Sequence, residues 1–177
     1  MKILKTKIKD LLIVKQKNNL DRRGSLRETF NKKILNKKFV FEYCTTSKAN
    51  ALRGFHFQYK YQQAKFVSVL KGKILDYVID LRKNSKTFGQ TFKIILSDKN
   101  CISLYIPEGF AHAYYSYEKL NIVYYKLTNY YKPNFENGIN LLDNSLNIKW
   151  PKKKFHISKK DKKLKNFKDF CRTYKFL

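Results

Sequence analysis

Hydrophobic and polar residues alternate along most of this chain, in short runs separated by turn residues. The runs TFKIILS, CISLYIP, AHAYYSY and NIVYYKLTNYY follow one another, and residues 97–100 and 107–109 separate them as turns. Several short strands at this spacing, with no long helical pattern among them, predict a mostly β fold, an antiparallel sandwich or barrel.

The central stretch, residues 51–82, predicts a pair of strands joined by a tight turn at Lys71-Gly72. The two runs are rich in the β-branched and aromatic residues that strands favour: Val67, Val69, Ile74, Tyr77 and Ile79. Arg53, His56 and Lys65 lie just before the pair. A rigid hairpin would hold this guanidinium, imidazole and ammonium close together, so these are the first candidate functional residues.

The first 50 residues predict further strands at LKTKI, LLIVKQK and FVFEYCTT. Between them, RETFNKKILNK predicts a short N-terminal helix, and Asp21-Arg22-Arg23-Gly24 predicts a turn. Arg22 and Arg23 are candidates for binding a phosphate. In isolation, the motif favours the alternative of a solvated turn with two ordinary surface arginines.

The C-terminal segment, residues 151–177, is rich in lysine and predicts an amphipathic helix docked on the barrel. Its apolar residues fall on one helical face: Leu164, Phe167, Cys171 and Tyr174. Ser158, three residues before Asp161, resembles a capping box. A basic interaction tail is the alternative interpretation.

Length and composition indicate one globular domain spanning residues 1–177, with 43% hydrophobic and 16% aromatic residues. No apolar run approaches the roughly 20 residues of a membrane helix, and the lysine-studded start is unlike a signal peptide. Cys44, Cys101 and Cys171 show no paired spacing, which predicts free thiols in a reducing cytoplasm.

The net charge of +26 invites the hypothesis of a nucleic-acid partner. The lysines, however, are spread along the whole chain instead of forming one cluster. We therefore expect a smaller anion as the partner, and neither nucleic acid nor a membrane.

Three histidines, His56, His112 and His156, are the candidates for catalysis or metal binding. The string from Pro107 to His112 has the proline, glycine and histidine spacing of the second cupin motif. The first cupin motif requires a His-x-His pair with a downstream Glu, and only His56 is present there. These observations predict a cupin barrel without a metal.

Taken together, the motifs resemble the dTDP-4-dehydrorhamnose 3,5-epimerase family of the cupin superfamily. The strings that carry the resemblance are DRRG, LRGFHFQ, QAKFVSVLKGKILDYVIDLRKNSKTFG, LYIPEGFAH, YYKLTNYYKP and ISKKD. The resemblance implies a cupin-type antiparallel jelly-roll β-barrel with a short N-terminal helix and a C-terminal helix. It also implies a cofactor-independent, homodimeric isomerase that inverts C3, C5 or both in a nucleotide-linked 4-keto sugar, for surface polysaccharide synthesis.

The resemblance assigns catalytic roles to four residues. His56 matches the general base, Asp161 its orienting partner and Tyr125 the general acid, while Lys65, with His112, would stabilise the enolate. The role of Asp161 as an orienting partner competes with its role as a helix cap.

The resemblance also implies a substrate-binding set of Arg23, Arg53, Glu28, Gln58, His112, Tyr130 and Tyr131. Arg23 and Arg53 match residues that hold the diphosphate, where a guanidinium fork suits phosphate oxygens. Tyr130 and Tyr131 match an aromatic residue that supports the base or sugar. In the family's dimer the N-terminal segment reaches its neighbour, so Arg23 would serve the other subunit's site.

Departures from the family pattern concern the nucleotide. Phe41 and Tyr43 stand where a Gln and an Asn are common, and Ser25 and Leu26 replace an aromatic pair. Because lost amide donors change which base a pocket accepts, we hypothesise a GDP-linked 4-keto hexose or heptose. The alternative functions are a 3,4-ketoisomerase of the same fold and a non-enzymatic basic binding module.

Overall fold

The computed structural model describes residues 1–151 and 154–174, and this part of the chain forms thirteen strands and one α-helix. The helix, α1, spans Phe167–Thr173. The strands are β1 Lys2–Lys5, β2 Leu12–Lys15, β3 Lys17–Asp21, β4 Gly24–Glu28, β5 Phe41–Ser47, β6 Leu52–Gln58, β7 Lys65–Lys71, β8 Lys73–Asp80, β9 Thr91–Ser97, β10 Ile102–Ile106, β11 Phe110–Ser116, β12 Asn121–Leu127 and β13 Glu136–Gly138.

Two antiparallel sheets face each other. One has the strand order β1-β2-β10-β7-β12-β5, and the other has the order β13-β6-β11-β8-β9. Strands β3 and β4 form a separate two-stranded hairpin around the predicted turn at Arg22 and Arg23. The mostly β, antiparallel class expected from the alternating pattern, and from the cupin-type fold that the resemblance implies, is therefore confirmed.

Apolar side chains fill the space between the sheets, because alternate residues of each strand point inward. Val67 of β7 and Val78 of β8 are fully buried in this core. A second cluster lies on the outer face of the five-stranded sheet, where Phe57 of β6 contacts Phe170 of α1 with ring centroids 5.4 Å apart. The five-stranded sheet is thus covered on both faces, which fixes the position of β6.

The prediction of a hairpin at Lys71-Gly72 is wrong. Both strands form where expected, but β7 and β8 belong to different sheets and do not pair with each other. The chain crosses between the sheets at Gly72, whose φ is +86° and where a Cβ would lie 2.5 Å from the backbone oxygen of Leu120. Glycine is required there because other residues rarely adopt this conformation and a side chain would collide with the neighbouring loop.

The predicted short N-terminal helix is wrong. Arg27 and Glu28 belong to β4, and the Arg27 guanidinium donates to the carbonyl of Val69. The rest of the segment makes a single helical turn, closed by Leu35 N donating to Asn31 O. Leu35 is buried beside Phe66, so packing on the outer face of the six-stranded sheet replaces a helix that had only weak propensity.

The C-terminal helix is present but shorter than the predicted segment. Its N-cap is Asn166, whose side chain accepts from Asp169 N, and not the predicted Ser158. Leu164 precedes the helix, while Phe167, Phe170, Cys171 and Tyr174 pack in the cluster on the five-stranded sheet. Residues 152–153 and 175–177 of the predicted segment lie outside the described residues.

Candidate active site

A cavity of about 780 Å³ opens between β5, β6, β11 and β12, and the segment 156–161 lines one side of it. All predicted site residues line this cavity except Arg23, Glu28 and Tyr130. Arg53 and His56 lie on β6, whereas Lys65 lies on β7 of the facing sheet. The three candidates of the central stretch are therefore brought together by two sheets and not by a hairpin.

His56 and Asp161 form a hydrogen-bonded pair at the cavity wall. His56 Nε2 lies 2.8 Å from Asp161 Oδ1, and the carboxylate side chain is only 4% exposed. Burial raises the pKa of Asp161, but the hydrogen bonds from His56, the Gly54 amide and Ser158 outweigh it and leave the pKa below its usual value. An ionised Asp161 accepts the Nε2 proton, which leaves Nδ1 of His56 as the nitrogen able to act as a base.

The competing roles of Asp161 are both visible in its hydrogen bonds. Its backbone N–H donates to Ser158 Oγ over 3.0 Å, as in a cap. Its carboxylate forms a 2.8 Å hydrogen bond with His56 Nε2. Asp161 begins a short 3₁₀ turn, Asp161–Lys163, so local backbone geometry presents the carboxylate to the cavity.

A second carboxylate approaches the other ring nitrogen of His56. Glu136 Oε1 lies 3.9 Å from Nδ1, and the same carboxylate accepts from the Tyr131 hydroxyl over 2.8 Å and pairs with Lys160. Burial raises the pKa of Glu136, but Lys160, His56 and Tyr131 together lower it by more than burial raises it. The pKa of Glu136 therefore lies below its usual value. Sequence reasoning missed Glu136 because β13, which carries it, has only three residues and no strand pattern.

Lys65 is buried where the two sheets approach each other. Its Nζ donates to the backbone oxygen of His56 over 3.2 Å. Burial lowers the pKa of Lys65 to about 8, although the negative charges of Glu136 and Asp76 oppose the shift. A buried ammonium of this kind is only weakly held in its charged form, so an anion forming nearby would stabilise it.

Tyr125 is buried on β12 and held by two aromatic neighbours. Its ring stacks on Tyr43, with centroids 4.8 Å apart and an interplanar angle of 23°, and meets the edge of His112 at 6.0 Å. Burial raises the pKa of Tyr125 well above its ordinary value. The hydroxyl is consequently protonated at neutral pH and available as a proton donor.

His112 of β11 is fixed from behind by a buried aspartate. His112 Nε2 lies 2.7 Å from Asp76 Oδ2, and both side chains are buried. Burial raises the pKa of Asp76, against the lowering effect of His112. This second histidine and carboxylate pair lies deeper in the cavity wall than His56 and Asp161, and Asp76 was not predicted.

Cationic and hydroxyl groups gather at another part of the cavity. Arg53 is exposed, and its guanidinium donates to Ser47 Oγ over 3.0 Å and to Thr46 O over 3.1 Å. Lys48 and His156 line the same cavity. His156, the candidate histidine in the lysine-rich C-terminal segment, lies alongside β6, because its backbone oxygen accepts from Leu52 N and its backbone N–H donates to Asn50 O. Together these groups form a surface suited to a multiply charged anion.

The remaining predicted residues have other surroundings. Arg23 lies at the exposed tip of the β3-β4 hairpin, paired with Asp21. Glu28 lies beside the N-terminal amino group and accepts from Asn31. Tyr130 is exposed near Phe41. Arg23, Glu28 and Tyr130 thus do not line the cavity that the described chain forms by itself.

Gln58 and Tyr131 line the cavity, but both side chains have polar partners. The Gln58 amide nitrogen donates to the carbonyls of Tyr61 and Tyr130, and its oxygen accepts from Lys132 N. Gln58 therefore joins two loops at the cavity rim, while Tyr131 is joined to Glu136.

Within residues 1–151 and 154–174, no three His, Cys, Asp or Glu side chains converge as a metal-binding group. No helix in the described part of the chain has the length and apolarity needed to cross a membrane. Cys44, Cys101 and Cys171 are free thiols, as predicted.

Comparison with known proteins gives consistent relatives. The family model described as dTDP-4-dehydrorhamnose 3,5-epimerase matches residues 5–169. The chain is 37% identical over 176 residues to the dTDP-4-dehydrorhamnose 3,5-epimerase of Methanothermobacter thermautotrophicus, and this alignment covers 95% of each of the two chains. It is 38% identical over 168 residues to the enzyme of that name from Shigella flexneri, covering 91% of this chain and 93% of the relative.

Solved structures agree with the sequence comparisons. A dTDP-6-deoxy-D-glucose-3,5-epimerase from Legionella pneumophila, in complex with dTDP-4-keto-L-rhamnose, superposes with a TM-score of 0.89 at 37% identity and covers 93% of this chain and 92% of its own. The dTDP-4-dehydrorhamnose 3,5-epimerase from Bacillus anthracis, with TDP and PPi bound, gives 0.91 at 35% identity and covers 94% and 99%. The chain therefore belongs to the dTDP-4-dehydrorhamnose 3,5-epimerase family and is an enzyme of the epimerase class.

Proposed function

We propose that this protein inverts C3, C5 or both in a nucleotide-linked 4-keto sugar by removing a proton from one face of the ring and returning one to the other. A ketone at C4 acidifies the hydrogens on C3 and C5, because the carbanion delocalises onto oxygen as an enolate. The reaction needs a base, an acid on the opposite face and positive charge near the oxygen, and no change of oxidation state.

The observation that carries the proposal is the hydrogen bond between His56 and buried Asp161 at the wall of a cavity that Tyr125 also lines. His56 Nδ1 is the proposed base, because Asp161 occupies Nε2. Tyr125 is the proposed acid, because burial keeps its hydroxyl protonated. Base and acid thus come from different sheets, which suits attack on opposite faces of a bound ring.

Lys65 is the proposed stabiliser of the enolate oxygen. Its ammonium is buried in the same cavity, and burial lowers its pKa to about 8. A negative charge developing on the enolate oxygen would replace the stabilisation by water that the ammonium loses on burial. His112 is the second candidate for this role, because its imidazole lines the cavity and is held by Asp76.

Arg53 is the proposed ligand of the diphosphate. Its guanidinium is exposed to the cavity, and its Nε and one terminal nitrogen are already oriented by Ser47 and Thr46. Orienting bonds of this kind reduce the rotamer entropy lost on binding phosphate oxygens.

For the nucleotide we propose guanosine diphosphate, carrying a 4-keto hexose or heptose, with thymidine as the alternative. The guanosine proposal is supported by Tyr43, which replaces an amide common in the family and places a ring in the cavity. Thymidine is supported by the dTDP sugar and TDP held by the two solved relatives. Initial rates with dTDP- and GDP-linked 4-keto sugars separate the two; full turnover at low dTDP-sugar concentration with inert GDP sugars overturns guanosine.

We also propose that a second copy of the chain completes the site. Leu20 and Leu26 on the β3-β4 hairpin are 78% and 69% exposed, although both are apolar, and the hairpin pairs with neither of the two sheets. Packing on a neighbour would bury these leucines and carry Arg23 toward the neighbour's cavity. Ultracentrifugation of wild type and Leu26→Lys tests this proposal; we expect a dimer and a weakened dimer respectively, and a monomeric wild type contradicts it.

The reaction itself is tested by incubating the protein with 4-keto sugars in heavy water and locating the label by NMR. We expect deuterium at C3, C5 or both, with inversion, and its loss in His56→Asn. A product with a 3-ketone would identify a 3,4-ketoisomerase instead. Absence of exchange together with tight, salt-sensitive nucleic-acid binding would identify a basic binding module.

A further inference from the structure

Each inversion leaves the proposed base and acid in the wrong protonation states. His56 gains the proton removed from carbon and becomes an imidazolium, while Tyr125 gives its proton to the opposite face and becomes a phenolate. The sugar has neither gained nor lost a proton. Before the next inversion, one proton must leave His56 for solvent and one must return from solvent to Tyr125.

The two carboxylates at His56 differ in their access to solvent. Asp161, at Nε2, has a side chain that is only 4% exposed, and its hydrogen bonds come from His56, Gly54 and Ser158. These contacts offer no route by which a proton on Asp161 could reach solvent. Glu136, near Nδ1, has a 12% exposed side chain and pairs with Lys160, which is 59% exposed. Tyr131, its third partner, is also exposed. The His56 side chain is itself 29% exposed in the open cavity, and beyond Glu136 the exposed fraction rises at Lys160 and Tyr131.

We propose that Glu136 is the proton relay that discharges His56. The N–H bond at Nδ1 of the imidazolium breaks, Glu136 Oε1 accepts the proton to become a carboxylic acid, and the acid then loses the proton to solvent or buffer beside Tyr131 and Lys160. Imidazole and carboxylate are both restored. The relay deepens the proposed epimerase and rests on it.

The distance and the energetics allow this step. The 3.9 Å between Nδ1 and Oε1 exceeds a hydrogen bond, but one bridging water or a small rotation of either side chain closes it. The pKa of Glu136 lies below its usual value, so the transfer from imidazolium is uphill. An uphill transfer populates the carboxylic acid only briefly, which is sufficient for turnover at typical rates of about 1–10³ per second.

The relay matters most while the sugar is bound. A nucleotide sugar in the cavity would cover the face of His56 that otherwise meets water, whereas Glu136, which lines the same cavity, is paired with Lys160, whose side chain is 59% exposed. If both C3 and C5 are inverted in one binding event, His56 must be discharged between them. Loss of the relay would then release singly inverted sugar.

Glu136→Gln is the decisive variant, and the chain offers a matched control. Gln keeps the size of the side chain but cannot take up a proton at neutral pH. Glu42 has the same kind of partners, since it accepts from the Tyr124 hydroxyl and pairs with Lys126, but it does not line the cavity. Glu42→Gln is thus expected to match wild type.

The experiment measures steady-state turnover and the first-turnover rate of deuterium incorporation, each over a range of imidazole and formate buffer concentrations. We expect Glu136→Gln to lower steady-state turnover at least about tenfold, to recover with rising buffer, and to keep the first-turnover rate of wild type. A first-turnover rate that falls in step with turnover assigns Glu136 a positioning role and overturns the relay. Unchanged turnover overturns it too.

The outcomes separate the relay from the proposed function. A wild-type protein that exchanges no deuterium with any 4-keto nucleotide sugar overturns both, whereas an active wild type with a fully active Glu136→Gln enzyme overturns only the relay. If circular dichroism shows that Glu136→Gln does not fold, Glu136→Asp replaces it. That variant withdraws the carboxylate by one methylene, and lowered turnover without buffer rescue overturns the relay.

Discussion

His56 Nε2 lies 2.8 Å from Asp161 Oδ1, although the two residues are 105 positions apart in the chain. The five-stranded sheet supplies the imidazole through β6, and a short 3₁₀ turn after β13 supplies the carboxylate. Because the ionised carboxylate accepts the Nε2 proton, the pair fixes one tautomer of His56. A fixed tautomer with Nδ1 free is the starting state that proton abstraction from carbon requires.

Asp161→Asn tests that tautomer. An amide at this position no longer stabilises the imidazolium and can present its NH₂ to Nε2, which favours the wrong tautomer. We expect kcat to fall on the order of 10²–10⁴-fold with little change in KM. Asp169→Asn, at an exposed carboxylate in α1, is the control and should leave kcat unchanged; equal losses in both variants would contradict an orienting role.

Tyr125→Phe separates proton removal from inversion. The variant keeps the ring that stacks on Tyr43 but removes the proposed acid, so His56 still abstracts a proton and then returns it to the same face. We expect deuterium exchange into the 4-keto sugar to continue while the inverted product falls at least about 10²-fold.

Tyr124→Phe is the matched control for that variant. Tyr124 precedes Tyr125 on β12, and its hydroxyl donates to Glu42 outside the cavity. Normal inversion by Tyr124→Phe is expected. If Tyr125→Phe inverts its substrate as fast as wild type, another group supplies the second proton.

Local patterns were sufficient to predict the strands but not their partners. Val67, Val69, Ile74 and Tyr77 alternate as strand residues do, and β7 and β8 form there. A turn at Lys71-Gly72 is locally compatible with a hairpin or with a crossing between sheets, and only packing across the whole chain decides. The short N-terminal helix failed for a related reason, since burial of Leu35 outweighs weak helix propensity.

The candidate site could be predicted from the sequence only where its residues resemble family motifs or lie in the central stretch. His56 and Lys65 were candidates from the central stretch, the family motifs added Tyr125 and Asp161, and the structure places all four at one cavity. Glu136 and Asp76 were missed because a single carboxylate in a short strand or a buried strand has no local signal. Their proximity to histidines arises from strand pairing, with Gly138 opposite His56 in one case and His112 opposite Val78 in the other.

Phe170→Ala tests how strongly the C-terminal helix is held. Phe170 is buried and meets Phe57, Phe167 and Tyr174 with ring centroids 5.4 to 5.8 Å apart. Truncation is expected to lower the free energy of unfolding by about 3–5 kcal/mol, measured by urea denaturation. Phe88→Ala, at an exposed ring beside the same helix, should cost far less; an equal cost would mean that the helix is not docked through Phe170.

The buried ammonium of Lys65 predicts the alkaline side of the pH profile. With its pKa lowered to about 8, Lys65 is charged below that pH and neutral above it. If the charge stabilises the enolate, kcat/KM should fall above about pH 8, by up to tenfold per pH unit. The Lys65→Arg side chain stays charged to above about pH 12. We therefore expect the kcat/KM of this variant, although lower than that of wild type, to stay constant as the pH rises above about 8. A limb at the same pH in Lys65→Arg would assign it to another group.

Lys65 should also trade stability for activity. Its pKa is lower in the folded chain than in the unfolded chain, so between about pH 8 and pH 10.5 the unfolded chain binds more protons and stability rises with pH. Below pH 8 the full cost of burying the charge is present. Lys65→Met removes that cost, so at pH 7 we expect a melting temperature equal to or above that of wild type together with a large loss of kcat. Lys71→Met, at the exposed end of the same strand, should change neither quantity. A strongly lowered melting temperature in Lys65→Met would instead mean that the ammonium is needed by the fold.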